Sequence, residues 1–223
     1  MNLSDLRTHV WDLLGQDATT AEDAWSATRI DRFLNRAAKH VAQIIKRYAP
    51  EEFTKTATFN TVVGTREYDL LTTCTGFQDL HAVERAVTGS TRPEPLVVDR
   101  VFSRGFRHIP NRLYLRDHYL GFYAAPTEAK ELTIHYSPDV AAMTATTNDL
   151  SSVSFQNPRI RDAFHDVIVY RAAYLALMAE GGSYQPLKQE AAEKERDMIQ
   201  TLRRRRRGPH WMSPTLRVCR AVR

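Results

Sequence analysis

The chain has 223 residues, 43% hydrophobic and 26% charged, an ordinary globular balance with enough length for one large domain or two small ones. Its net charge of +5 is unevenly placed: residues 201–223 carry eight arginines and no acid, and the first 200 carry 23 basic against 26 acidic side chains. A slightly acidic body with a strongly basic tail argues against a surface that coats nucleic acid and for one electrostatic contact made by the tail.

Two cysteines, Cys74 and Cys219, are too few and too far apart for a disulfide framework or a metal knuckle, and reduced thiols are expected. The opening MNLSDLRTHVWDLLG is interrupted by charge and lacks the apolar core of a signal peptide, and no apolar run approaches membrane-spanning length. A soluble intracellular chain is expected.

In chain order, Ser4 is placed to cap a first helix with Leu6, Val10, Leu13 and Leu14 on one face and Gly15 as its stop. Thr28 and Asp31 resemble a capping box for a longer helix marked by Ile30, Leu34, Ala37, Val41, Ile44, Ile45 and Tyr48, ending before Pro50. The period then changes to alternation in TATFNTVV, DLHAVERAV, RLYLRD, YLGFYA and ELTIHYS, separated by turn signals at Gly64, GSTRPEP, IPN and PTEAK. This predicts an antiparallel sheet of short strands, one face packed and the other meeting water or a partner. Residues 139–157 are polar and read as a surface connector.

Helical spacing returns at 158–178 with Ile160, Phe164, Val167, Ile168, Tyr174, Leu175 and Met178, and Val169, Ala172, Ala173 and Ala176 widen the apolar stripe. A helix apolar over so much of its circumference predicts packing on two sides, so Ile168, Val169, Ala173, Leu175 and Ala176 are expected at a subunit interface as well as the core. EGGS at 180–183 ends it, and Pro186 suits the first turn of a last helix with a narrow seam of Leu187, Ala191, Met198 and Leu202.

The arginine run Arg203, Arg204, Arg205, Arg206 and Arg207 starts where that seam ends. One or two cations complement the helix macrodipole, at roughly 0.3–1 kcal/mol each. Gly208 and Pro209 then break the helix and release HWMSPTLRVCRAVR, in which Trp211, Met212, Leu216 and Val218 are apolar anchors of the kind a docking peptide carries into a groove. The fold class expected is therefore α+β. N- and C-terminal helices (1–50 and 158–207) form a bundle, with an inserted antiparallel β domain (51–140), a surface loop (141–157) and an extended basic tail (208–223).

Chemistry is sparse. No phosphate-binding glycine motif, HExxH, GxSxG or paired-cysteine spacing is present. His165-Asp166 is the one suggestive dyad, but adjacent helical positions do not face each other, so a helix-surface pair is expected. His108 and His118, without an acidic cluster, make a poor metal site. Neither enzyme activity nor a cofactor is expected.

GTREYDL at 64–70, FYAAP at 122–126, ELTIHYSPD at 131–139 and YRAAY at 170–174, in that order and framed by helices, resemble the head-to-tail adaptor, or head completion, proteins of tailed bacteriophages. The likeness covers most of the first 200 residues and leaves the arginine run and tail outside it. Leu71 departs from the family's pattern, in which a proline often follows the Asp-Leu. The resemblance implies a structural component of the virion at the head-tail junction, made in the host cytoplasm. It implies a ring, commonly of twelve copies, with helical bundles on the portal protein and β regions toward the tail or a further neck protein. The C-terminal segment would then reach along the portal, and contact with packaged DNA in the channel is open to it; no membrane is involved. A rival reading is a nucleic-acid-binding protein that sets the arginine run on phosphates.

Overall fold

Asn2, not Ser4, begins the first helix. In the computed structural model its side chain accepts from the Asp5 backbone N–H (2.9 Å), while the Asp5 carboxylate accepts from the Asn2 N–H (3.0 Å), a reciprocal box that satisfies two orphan donors. The structure describes residues 1–16, 25–87, 92–100, 112–140, 142–143 and 160–206, with the side chains of Arg205 and Arg206 excluded.

Helix α1 (Leu3–Leu13) buries Leu3, Leu6 and Val10. Helix α2 (Ala27–Tyr48) follows Ser26, which makes no side-chain cap bond. Asp31, expected to box with Thr28, is taken instead by Arg7 of α1, Nε donating to Oδ1 at 2.6 Å and Nη2 to Oδ2 at 2.5 Å. Both side chains are mostly covered, at 16% and 21% exposed, where a bidentate charged pair is at its strongest. The apolar face of α2, Ile30, Leu34, Ala37, Ala38, Val41 and Ile45, is buried. A 3-10 turn at Pro50–Phe53 then tucks Phe53 into the same core.

The chain divides into two compact units. One joins Met1–Phe53 to the described residues from Val140 onward, and the other is Thr54–Asp139. In the first, a 3-10 turn at Asp162–Phe164 leads into α4 (His165–Ala179), and α5 (Gln185–Arg206) follows. The helix therefore starts later than the 158–178 periodicity suggests. Gly181, at φ +72°, turns the chain between them, a conformation that costs glycine little. Helix α4 packs against α1, α2 and α5. His165 is fully buried, with Nε2 3.1 Å from the Ile160 carbonyl, so it is a core group and not the expected surface partner of Asp166, which is exposed.

The second unit is one seven-stranded sheet: β1 (Lys55–Asn60), β2 (Glu67–Asp69), β3 (Phe77–Arg85), β4 (Glu94–Asp99), β5 (Arg112–Arg116), β6 (Tyr119–Phe122) and β7 (Glu131–Pro138). The order is β1-β7-β3-β4-β5-β6-β2. Two strands lie outside the alternating runs, β2 inside GTREYDL and β4, which opens on Glu94 and Pro95 of the proline-rich GSTRPEP. The pairing of β4 with β5 is parallel, Val98 opposite Leu113, so the sheet is mixed where an antiparallel one is expected. Parallel neighbours need a crossover, and this one runs through residues 101–111, outside the described part. Helix α3 (Leu70–Thr73) is a single turn capped by Asp69, whose Oδ1 accepts from the Leu71 N–H at 2.8 Å. That bond uses the N–H a proline at 71 would lack.

The β3–β7 ladder has register shifts between Phe77 and Asp79 and between Leu80 and Ala82, and such irregularities bend and overtwist a strand. The sheet curls around Leu70, Cys74, Leu80, Val83, Leu113, Leu120, Leu132, Ile134 and Tyr136, which form a core separate from that of the helices. Its inner face thus packs largely on itself.

Candidate docking surfaces

Val62 and Val63 follow β1 and are each 59% exposed. They are nonetheless held in place. Tyr68 of β2 reaches back so that its hydroxyl accepts from the Val62 N–H (2.8 Å) and lies 3.1 and 3.3 Å from the Val62 and Thr65 carbonyls. Thr61 Oγ1 accepts from Lys130 N–H (2.8 Å), and Gly64 N–H donates to the Pro126 carbonyl (2.9 Å). Gly64 sits at φ +79°, a backbone setting that bars most side chains. The result is an apolar tip presented on a pinned turn, a low-entropy way to offer a contact. The motif residues Gly64, Tyr68 and Pro126 build it. Sequence alternation alone assigns both valines to a strand.

Around the sheet, Tyr114 of β5 lies across Gly121 of β6, its cross-strand partner, and donates to Glu67 Oε1 of β2 at 2.6 Å. A Cβ at 121 would fall inside that ring. Glu67 also accepts from Arg116 at 3.0 Å. Burial, then the bond to Glu67, pushes the Tyr114 hydroxyl up to about 12. Burial likewise raises the Cys74 thiol to about 11, which leaves it a poor nucleophile at neutral pH.

On the helical unit, an open groove of about 630 Å³ is lined by Arg32, Asn35, Arg36, Lys39, His40 and Arg171, among others. Helix α2 carries six basic side chains against one acid, Asp31. This concentration is readable in the sequence but is hidden when charge is summed over the whole acidic body. Glu195 of α5 partly neutralises the groove, accepting from His40 Nε2 (3.0 Å) and Arg171 Nη1 (3.4 Å).

The residues expected at a subunit interface, Ile168, Val169, Ala173, Leu175 and Ala176, are all buried within the single chain, none more than 4% exposed. The breadth of the α4 stripe is satisfied by three helices of the same chain, so it does not by itself require a neighbouring subunit. Of the expected docking tail, Arg203 and Arg204 lie exposed on the last turn of α5, and Arg205 and Arg206 continue its backbone. The Arg203 guanidinium sits 4.9 Å over the Tyr48 ring of α2, a cation–π contact that ties the start of the run to the helices. Arg207, Trp211, Met212, Leu216 and Val218 lie outside the described residues. His108 does too, and His118 pairs with the adjacent Asp117 at 2.7 Å. Among the described residues no cluster of metal-ligating side chains occurs, and no helix is long and apolar enough to cross a membrane.

A sequence model of the SU10 adaptor protein family matches residues 1–218. The chain belongs to that family. No curated protein matches it. The adaptor's match continues through the arginine run and most of the following segment, which corrects the expectation that the likeness stops near residue 200. Membership makes the chain a bacteriophage adaptor and a component of the virion, a structural role that agrees with the reading of the sequence as that of a non-enzyme. The motifs that carry the resemblance have structural duties: GTREYDL supplies the pinned turn, β2 and the Asp69 cap, ELTIHYSPD supplies β7, paired on both sides, and YRAAY lies on α4.

Proposed function

We propose that this adaptor forms a homo-oligomeric ring, of twelve copies, that attaches to the portal and presents its β units to the tail or a further neck protein. The observation that carries the reading is the match to an adaptor family over nearly the whole chain. The separation into two units with different exposed chemistry supports it. The helical unit ends in the arginine run that begins at Arg203, and the β unit offers the apolar Val62-Val63 tip. One protein that must hold two different partners needs two such surfaces.

In this reading the C-terminal segment grips the portal. Trp211, Met212, Leu216 and Val218 enter a protein groove, and the arginines from Arg204 to Arg207 pair with carboxylates at its rim or reach packaged DNA. Burial of the apolar anchors, at roughly 25 cal/mol per Å², contributes several kcal/mol that a DNA backbone cannot match. The test compares Trp211→Ala with Leu216→Ala against a chain with Arg203, Arg204, Arg205, Arg206 and Arg207 all changed to Gln, measuring attachment to DNA-free portals. Loss of attachment in the apolar variant is expected. Unchanged attachment there, with failure of the Gln variant only on DNA-filled heads, would make the segment a DNA clamp instead.

A further inference from the structure

Arg32, Arg36 and Lys39 stand at i, i+4 and i+7 on α2, all exposed, so they form one stripe about 10 Å long at 1.5 Å rise per residue. None of the three side chains makes an ion pair or hydrogen bond among the described residues. Glu190, Glu193 and Asp197 stand at i, i+3 and i+7 on α5, equally exposed and equally without partners. The second stripe has the opposite sign and the same length. It does not face α2 of its own chain: Glu195, an α5 acid that does so, is bound to His40, and Glu190, Glu193 and Asp197 lie about 140–160° around the helix from it at 100° per residue. Arg171, whose Nε is buried with no hydrogen-bond partner among the described residues, lines the same groove beside the basic stripe.

We infer that the α2 stripe of one copy receives the α5 acidic stripe of the next, so that Arg32, Arg36, Lys39 and Arg171 face Glu190, Glu193 and Asp197 across a head-to-tail contact between identical chains. This deepens the proposed ring and rests on it. Two different surfaces on one chain, complementary to each other, make a heterologous contact, and such contacts generate closed rings when the rotation closes. Charge complementarity of this kind fixes register and speeds encounter more than it adds affinity. It also places the contact on the outer faces of α2 and α5, leaving the buried face of α4 to the single chain. A nucleic-acid backbone is the other polyanion that the α2 stripe would accept, but it leaves the matched acidic stripe on α5 unused.

Four full-length chains test this: wild type, the α2 reversal (Arg32→Glu, Arg36→Glu, Lys39→Glu), the α5 reversal (Glu190→Lys, Glu193→Lys, Asp197→Lys), and the chain with all six changes. Self-association is read by sedimentation, and the number of copies held per DNA-free portal by native mass measurement, with circular dichroism confirming the fold of each. Each single reversal is expected to weaken association at least about tenfold, and the six-fold chain, with complementarity restored in the opposite sense, to recover it. High salt should weaken wild-type association, since the screening length falls from about 10 Å at 0.1 M to 3 Å at 1 M. A wild-type ring that both reversals leave intact overturns the stripe contact while leaving the ring standing. So does a folded six-fold chain that fails to recover. An α2 reversal that keeps full portal occupancy but loses binding to a duplex oligonucleotide makes the stripe a nucleic-acid surface. Wild-type chains that occupy the portal singly remove the ring and this contact together.

Discussion

Phe59 and Tyr68 belong to the two outermost strands of a seven-stranded sheet, yet their rings meet with centroids 5.0 Å apart. Tyr68 also meets Phe122 of its neighbouring strand edge-on at 5.9 Å. The curl brings β1 and β2 together by side chains, with no ladder between them among the pairings of the sheet. Edge backbones that approach in this way are shielded from pairing with other chains.

That closure is expected to be measurable as a coupling. In a double-mutant cycle with Phe59→Ala and Tyr68→Ala, the pair should show about 0.5–1.5 kcal/mol beyond the sum of the single effects. Tyr68→Phe keeps the ring but removes the bonds to Val62 and Thr65. It should cost about 0.5–1.5 kcal/mol and speed amide hydrogen exchange at Val62. Urea denaturation and exchange measurements check both, and zero coupling would place the closure elsewhere.

Gly121 is required by the ring lying over it. Gly121→Ala should destabilise the β unit by about 1–3 kcal/mol, because the added methyl displaces Tyr114 from Glu67. The same substitution made in a Tyr114→Ala background should cost much less. Equal cost in the two backgrounds would show that the Tyr114 ring does not explain the glycine.

Alkaline pH should loosen the β unit. Cys74 and Tyr114 both hold their protons more tightly in the folded state, so their contribution is complete below the unfolded values, near 9 and 10. It is lost as pH rises through about 11 for the thiol and about 12 for the phenol. Thermal melts from pH 8 to 12 should show Tm falling across that window, with a shallower fall from pH 9 to 11 in Cys74→Ala. At pH 8 the folded chain should leave Cys74 unmodified by a thiol reagent that labels it in urea.

Substitutions on α4 separate core from interface. Ile168→Ala should cost about 2–5 kcal/mol of stability in the isolated chain. Val169→Asp and Ala173→Asp, which bury unpaired carboxylates, should cost at least as much. The readout is the unfolding midpoint of unassembled protein. Normal stability with failed ring assembly would return these positions to a subunit contact.

Residue pattern was enough to locate four of the five helices among the described residues, and the change to strand periodicity between them. Local rules suffice there: Pro50 and the Gly181-Gly182 turn punctuate, and apolar positions repeat at 3.6 on α2 and α4 or at 2 along β1. Motif order also carried the family. What each face meets is set by long-range packing. The breadth of the α4 stripe is the same whether its neighbours come from one chain or two, and only packing shows that α1, α2 and α5 cover it. Asp31 reads as a cap until Arg7, 24 residues away, claims it. The parallel β4–β5 pair and the meeting of Phe59 with Tyr68 have no local signature, because strand partners are chosen by long-range register. The basic stripe of α2 was written in its residues, but whether six cations are paired or free depends on which acids the fold brings near. Here Glu180 reaches Arg29, while Arg32, Arg36 and Lys39 are left facing outward without a partner among the described residues.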